Sequence, residues 1–327
     1  MKFAYIPHLR LNTANRARLQ LVNSIIEEYR RQGYTLTLRQ LYYQLVSKDI
    51  IANKLSEYSK LSTLPTQGRM AGIVDWDAIE DRVRKPHILA SWDNPGEILQ
   101  VAAEQFRMDR MKGQGVYLEM WVEKDALSEI LKKSTNRYGV PVMVNRGYSS
   151  TTAMHDAFER MKDHILAERK VVILYLGDHD PSGMDMVRDI KDRLKEFFIG
   201  YQRTSAIENE MNEQDATALG QENGCWALQF DEHCDIQRIG LNMPQIRQYR
   251  PPPNPAKVTD PRAKAYIEEF GITSWEVDAL KPEILHALVQ SAVKEHLDES
   301  QYQAMLKEEK QHKIKLKTLI KSLEDDA

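Results

Sequence analysis

Cysteine and long apolar runs are what this sequence has least of. Its 327 residues include only two cysteines, Cys225 and Cys234, which do not indicate a disulfide framework or a zinc site. No apolar stretch approaches the roughly 20 residues that span a bilayer, and the N-terminus has no signal-peptide core. We therefore expect a cytoplasmic protein with no membrane contact, associated with the nucleoid if the source is bacterial or archaeal.

An excess of one charge is also missing, because 45 Lys and Arg residues stand against 48 Asp and Glu residues. The balance is uneven along the chain. Residues 1–90 hold 14 basic and 8 acidic residues, and the remainder holds 31 and 40. Such asymmetry indicates nucleic-acid contact by the basic part. The length allows two domains with a sizeable core.

Two carboxylates follow an apolar run in the middle of the chain. Residues 171–176 are typical of a buried parallel strand, and Gly177-Asp178-His179-Asp180-Pro181 comes directly after them. Residues two apart in a strand point to the same side, so Asp178 and Asp180 are expected to project together and to suit a divalent cation such as Mg²⁺. The alternative is structural, since Asp180 before Pro181 also makes a good helix start.

A third carboxylate, Glu123, ends another predicted strand over residues 116–122. With Asp178 and Asp180 it would complete a three-carboxylate metal site. Further strands are predicted over 140–145 and 170–176, each followed by a helical pattern. This alternation predicts an α/β fold with a mainly parallel sheet.

The basic N-terminal part has a helical pattern. Helices are predicted over 14–32, from a cap at Thr37, and over 56–70 with an interruption near Pro65. Residues 73–77 are predicted to form a strand or wing. Three short helices and a wing suggest a winged helix-turn-helix domain, and a small helical bundle without a nucleic-acid role is the alternative.

Several segments together resemble a known family. Val122-Glu123-Lys124 and residues 178–183 resemble the Toprim domain, in the form found in the A subunit of topoisomerase VI and in its relative, the meiotic DNA double-strand-break protein. Segments 145–150, 250–257 and 275–280 are similar to the same family, and the resemblance covers roughly residues 35–295. It implies a winged-helix DNA-binding domain over 1–90, a Toprim-like catalytic domain over 91–300 and a C-terminal helix over 301–327. It also implies Mg²⁺, with Mn²⁺ as a substitute, bound by Glu123, Asp178 and Asp180.

The segment from Thr37 to Tyr43 resembles the motif around the catalytic tyrosine of that family, and the match assigns the nucleophile to Tyr43. Arg39 is four residues earlier on the same helix face, where its guanidinium would favour the phenolate and hold a phosphate. Gln40 departs from the acidic residue usual in the family, and the segment after Tyr43 departs as well. The alternative to a catalytic role is that Tyr42 and Tyr43 both serve only to pack the helix.

The resemblance implies cleavage of double-stranded DNA by a homodimer. Either Tyr43 attacks a phosphodiester to form a 5′-phosphotyrosyl link, or an activated water hydrolyses the strand. A separate ATPase subunit is a possible partner. Backbone contacts are predicted for a set of basic residues: Arg69, Arg82, Arg84, Lys85, Lys124, Arg146 and Lys257. The rival interpretations are a DNA-binding or scaffold protein with vestigial carboxylates and an RNA-directed Toprim enzyme.

Overall fold

A four-stranded parallel sheet forms the centre of the protein, in a computed structural model that describes residues 4–6, 10–79, 89–145, 147–221 and 224–325. Its strands lie in the order β2-β1-β3-β4, with the bounds β1 (Val116–Val122), β2 (Val142–Val144), β3 (Lys170–Leu176) and β4 (Cys234–Gly240). Every neighbouring pair is parallel. The prediction of an α/β fold and of the first three strands is confirmed, whereas β4 was not predicted.

Both faces of the sheet are covered by helices, as the continuous apolar run of β3 requires. Val172 and Leu174 enter one core, and Val171 and Ile173 enter the other, all with no exposed surface. The helices have the bounds α1 (Thr13–Arg31), α2 (Leu38–Ser47), α3 (Leu55–Met70), α4 (Pro95–Gln105), α5 (Ser128–Thr135), α6 (Thr151–Leu166), α7 (Pro181–Glu208), α8 (Glu213–Gly220), α9 (Cys225–His233), α10 (Met243–Tyr249), α11 (Ala263–Phe270), α12 (Pro282–Glu295) and α13 (Glu299–Asp325). No helix in the described ranges has the length and apolarity needed to cross a membrane.

The N-terminal helices share a core with one face of the sheet, because residues of α1 and α2 belong to the same buried cluster as residues of β1, β3 and α12. Thr37 caps α2: its hydroxyl accepts from Gln40 N (3.2 Å), and Gln40 Oε1 accepts from Thr37 N (2.8 Å). The predicted cap is therefore confirmed. This cap fixes the first turn of the helix that carries Arg39 and Tyr43.

Two predictions for this part of the chain were wrong. Helix α3 continues through Pro65 without interruption, because the residue is buried against the core while its ring removes only one backbone hydrogen bond. Residues 73–77 form no strand: a 3-10 turn over Trp76–Ala78 takes the place of the expected wing, and Asp75 caps that turn.

A small antiparallel sheet brings a distant segment to the edge of the main sheet. It pairs β5 (Pro253–Pro255) with β6 (Thr273–Trp275). Beyond that pair, His179 and Trp275 exchange two backbone hydrogen bonds, of 2.8 and 2.9 Å. This bridge places the residues that follow β6 beside the end of β3.

Candidate metal centre

Glu123 and Asp178 lie together because β1 and β3 end side by side. The register pairs Val122 with Leu176, and Glu123 N continues the ladder to Leu176 O at 3.1 Å. The Asp178 backbone N–H then donates to Glu123 Oε2 at 3.1 Å. Two of the three predicted carboxylates are thus neighbours at the carboxyl edge of the sheet, where open α/β sheets bind their ligands.

Asp180 has a different role in the structure. Its Oδ1 accepts hydrogen bonds from Gly183 N (2.7 Å) and Ser182 Oγ (3.0 Å), and it is the N-cap of α7. The structural alternative for Asp180 therefore describes its contacts. Asp178 instead accepts from Val277 N at 2.8 Å, so the two aspartates do not share their partners.

A group of carboxylates that could hold a metal ion forms around Asp178, with two residues that were not predicted from the sequence as site residues. One oxygen each from Asp178, Glu276 and Asp278 lie within 4.8 Å of one another. This group, called the acidic trio below, does not include Glu123 or Asp180. Glu276 and Asp278 are two residues apart just after β6, in the segment 275–280 that resembles the family, but the resemblance assigned them no role in a site. Three carboxylates form a hard oxygen donor set that suits Mg²⁺ or Mn²⁺.

Lys124 lies among the three carboxylates. Its Nζ is 2.7 Å from Asp178 Oδ2 and 2.9 Å from Asp278 Oδ1, and it also contacts Glu276 Oε2. The Lys124 side chain is only 13% exposed. The ammonium donates hydrogen bonds to Glu276 and Asp278 and forms an ion pair with Asp178, so it contacts each carboxylate of the acidic trio.

Arg39 adds a second cation from the N-terminal helix α2. Its Nε is 2.8 Å from Asp278 Oδ2, and its Nη2 contacts Glu276 Oε2. The Arg39 side chain is 44% exposed and lines a cleft of about 590 Å³ together with Glu123, Lys124 and Gly147. Arg39 therefore contacts both the acidic trio and the solvent-exposed cleft. The helix that supplies it belongs to the same chain as the acidic trio.

Burial and charge shift the pKa of several groups in this cluster. Burial raises the pKa of Asp178 and of Glu123 above the usual carboxyl range. Burial also opposes the ionised form of Glu276, yet Lys124 and Arg39 outweigh it and lower the pKa of that residue. Despite burial, the three carboxylates raise the pKa of Lys124, which stays an ammonium.

Tyr43 lies beside Arg39 but is not activated by it. The Arg39 guanidinium carbon is 5.7 Å from the centre of the Tyr43 ring, and both residues line a second cleft with Glu276. Tyr43 is 6% exposed, and burial followed by Glu276 and Asp278 raises its pKa well above the ordinary value. Arg39 does act to lower the pKa of Tyr43, as predicted, but burial and the nearby carboxylates outweigh its charge, so the net effect disfavours the phenolate.

The remaining predicted residues are spread over the molecule. Arg69 donates to the carbonyls of Trp76 and Ile79, so its guanidinium binds the backbone of its own chain. Lys257 is 74% exposed, and its Nζ is 3.8 Å from Asp180 Oδ2. Four of the predicted nucleic-acid contacts lie outside the described residues: Arg82, Arg84, Lys85 and Arg146.

His179, between the two aspartates, is buried at the end of β3. Its Nδ1 is 2.8 Å from the Tyr266 hydroxyl, and burial lowers its pKa to about 4. Its contacts and its bridge to Trp275 give it a structural role.

The comparisons with known proteins leave the family open. No protein-family model, curated protein or solved structure matches this chain. The geometry of the acidic trio is therefore the basis for a functional proposal.

Proposed function

We propose that this chain cleaves DNA strands with the help of a divalent cation, Mg²⁺ or Mn²⁺, held by the acidic trio. The observation that carries the proposal is the approach of Asp178, Glu276 and Asp278 to within 4.8 Å of one another. They meet at the carboxyl edge of a parallel sheet, beside a cleft that contains Arg39 and Lys124. Carboxylates and basic side chains together are the groups that a cation-dependent reaction on a phosphodiester requires.

Each residue of the cluster has a part in such a reaction. A bound cation supplies Lewis acidity that polarises a phosphodiester and makes an attacking water more acidic. The exposed guanidinium of Arg39 would bind a phosphate oxygen and orient the strand. Glu123 lines the same cleft and has a raised pKa, which suits a group that carries a proton to or from the reacting oxygen.

Hydrolysis agrees with the contacts of Tyr43 better than attack by its phenol. The ring is nearly buried and the pKa of its hydroxyl is raised, so the phenolate is disfavoured. A tyrosine nucleophile would need both access to the phosphodiester and a favoured phenolate. We therefore propose hydrolysis as the reaction and phosphotyrosyl chemistry as the alternative.

A second candidate function has its own support. Lys124 and Arg39 already give every carboxylate of the acidic trio an ion pair, as expected for a charge cluster that only holds segments together. On that basis the chain would be a DNA-binding or scaffold protein whose Toprim-like site has no catalytic role. The winged-helix and Toprim identities and the homodimer on double-stranded DNA remain proposals that follow from the resemblance.

A plasmid assay separates these functions. Supercoiled DNA is incubated with the protein and Mg²⁺, then denatured with and without protease treatment. Free nicked or linear DNA is expected from the wild type and from Tyr43→Phe, with Tyr42→Phe as the matched control. DNA trapped on the protein, together with loss of cleavage in Tyr43→Phe alone, would establish the tyrosine route. An intact plasmid bound equally by the wild type and Asp278→Asn would favour the scaffold function.

A further inference from the structure

Lys124 occupies the position that a metal ion would need. One atom, Lys124 Nζ, contacts all three carboxylates of the acidic trio, at 2.7 Å from Asp178 and 2.9 Å from Asp278. An ion bound to these same oxygens would collide with that ammonium. The ion can therefore enter only when the Lys124 ammonium leaves.

The charges point the same way. When all three carboxylates are ionised, the acidic trio carries three negative charges, and Lys124 and Arg39 return two positive ones. A dication added to both would leave the buried cluster with a net positive charge. Removing one basic group from the carboxylates brings the net charge to zero, and removing both brings it to −1, but a displaced ammonium that is 13% exposed needs a new anionic partner.

A nucleic-acid phosphate fits that need. Arg39 and Lys124 both line the open cleft beside the acidic trio, together with Glu123 and Asp125, so a phosphate that enters the cleft comes within reach of two cations. Charge-assisted hydrogen bonds to phosphate oxygens are available to both side chains. The phosphate would thereby give the displaced groups a partner at the moment when the carboxylates are freed.

We propose that Lys124, assisted by Arg39, makes metal binding conditional on nucleic acid: the two cations leave the acidic trio for a phosphate, and the metal ion takes their place. This inference rests on the proposed function and adds how metal binding at that site would be regulated. The unbound protein keeps its carboxylates neutralised and binds metal weakly. By linkage, DNA raises metal affinity by the same factor as metal raises DNA affinity.

The test is Mn²⁺ binding, measured by equilibrium dialysis on the full chain with and without a short duplex DNA, with DNA-only blanks subtracted. For the wild type, DNA is expected to tighten Mn²⁺ binding by about 5- to 150-fold. Lys124→Met is expected to bind Mn²⁺ about 10-fold tighter than the wild type without DNA and to gain little when DNA is added. Lys195→Met is the matched control and should behave as the wild type. It removes a lysine of α7 whose Nζ is 2.6 Å from Asp231 Oδ2.

The outcomes separate this inference from the proposed function. One outcome would overturn the exchange but support the metal site: Mn²⁺ binds the wild type and does not bind Asp278→Asn, and its affinity changes neither with DNA nor in Lys124→Met. Absence of Mn²⁺ binding in every protein, with or without DNA, would overturn both. If Lys124→Met does not fold by circular dichroism, Arg39→Gln replaces it, because that side chain is 44% exposed. Unchanged Mn²⁺ affinity in Arg39→Gln would then count against the exchange.

Discussion

Two groups of buried charged residues lie along strand β1, one around Glu119 in the middle of the strand and one, the acidic trio, at its end. They differ in the number of cations available to each carboxylate. In the middle, Glu119 is 1% exposed and accepts four hydrogen bonds: from the Tyr117 hydroxyl, from Trp121 Nε1, and from Arg160 Nε and Nη2, all between 2.8 and 2.9 Å. One carboxylate there has its own cation and enough donors for both oxygens. Such an arrangement stabilises the fold and leaves nothing for a ligand.

At the strand end the proportions are reversed. The acidic trio shares one ammonium and one guanidinium, so negative charge is in excess and the oxygens converge on a single point. The comparison teaches that a buried carboxylate by itself does not mark a site. The proposed site is instead a group of several carboxylates that share fewer cations than they have charges.

The largest expected effect comes from breaking the acidic trio. Asp278→Asn keeps the shape of the side chain and removes one of three charges, so Mn²⁺ binding and DNA cleavage should fall by about 100- to 1000-fold, corresponding to the several kcal/mol that a Lewis acid supplies. Dialysis with Mn²⁺ and the plasmid assay measure the two effects. Glu119→Gln is the matched control, and equal losses in both variants would refute the distinction between the clusters.

Breaking the Glu119 cluster should reduce stability instead. Glu119→Ala leaves the Trp121 and Arg160 donors without their acceptor, and we expect the free energy of unfolding to fall by about 3 kcal/mol. Urea unfolding measures this loss. Glu129→Ala removes an exposed carboxylate paired with Lys132 at 3.1 Å and should cost less than about 0.5 kcal/mol. A similar cost for both variants would show that Glu119 is not a structural anchor.

A pH series sharpens the comparison with another well-paired carboxylate, Glu309, which is held by Arg110 at 2.7 Å and by Lys313 at 3.4 Å. Hydrogen bonds from Arg110 lower the pKa of Glu309 to about 2, below about 4.3 for an unfolded chain. The pair stabilises the fold above the unfolded pKa, and this contribution, about 2 to 3 kcal/mol, is lost as pH falls from about 4 to 2. Urea unfolding of the wild type and Glu309→Gln should therefore give free energies that differ near neutral pH and converge in acid. A gap that stays constant across this pH range would refute the assignment.

The smallest expected effect concerns how Arg39 is held. Thr37→Ala removes the cap of α2 and should cost about 1 kcal/mol of stability. Because α2 carries Arg39 onto the acidic trio, the variant should also loosen that ion pair and raise Mn²⁺ affinity slightly in the absence of DNA. Ser150→Ala removes a similar cap on α6, where Ser150 Oγ accepts from Ala153 N at 3.1 Å. It should cost the same stability with no change in Mn²⁺ affinity.

Local patterns in the sequence predicted much of the framework. The bounds of β1 and β3 follow from short apolar runs, and the start of α2 follows from Thr37, because strand burial and helix capping depend on neighbours within a few residues. The expected wing failed for a local reason as well: Asp75 caps a 3-10 turn, a conformation that competes with a strand in the same residues.

The candidate metal centre was only partly predictable. Asp178 was found from its place after β3, and Lys124 and Arg39 were singled out as basic residues near a phosphate. Glu276 and Asp278 were missed because their own segment gives no sign of a neighbour about a hundred residues earlier; the hydrogen bond from Val277 to Asp178 spans 99 positions. Asp180 was assigned to the metal although its oxygen caps α7.

The amino-acid sequence by itself determined the positions of β1 and β3 and the start of α2, and it placed a carboxylate at the end of β3, since periodicity and caps act over a few residues. Only the tertiary structure decided which carboxylates meet. The pairing of β5 with β6 and the bridge between His179 and Trp275 bring Glu276 and Asp278 to Asp178, and contacts of that range depend on chain closure and packing rather than on any local pattern.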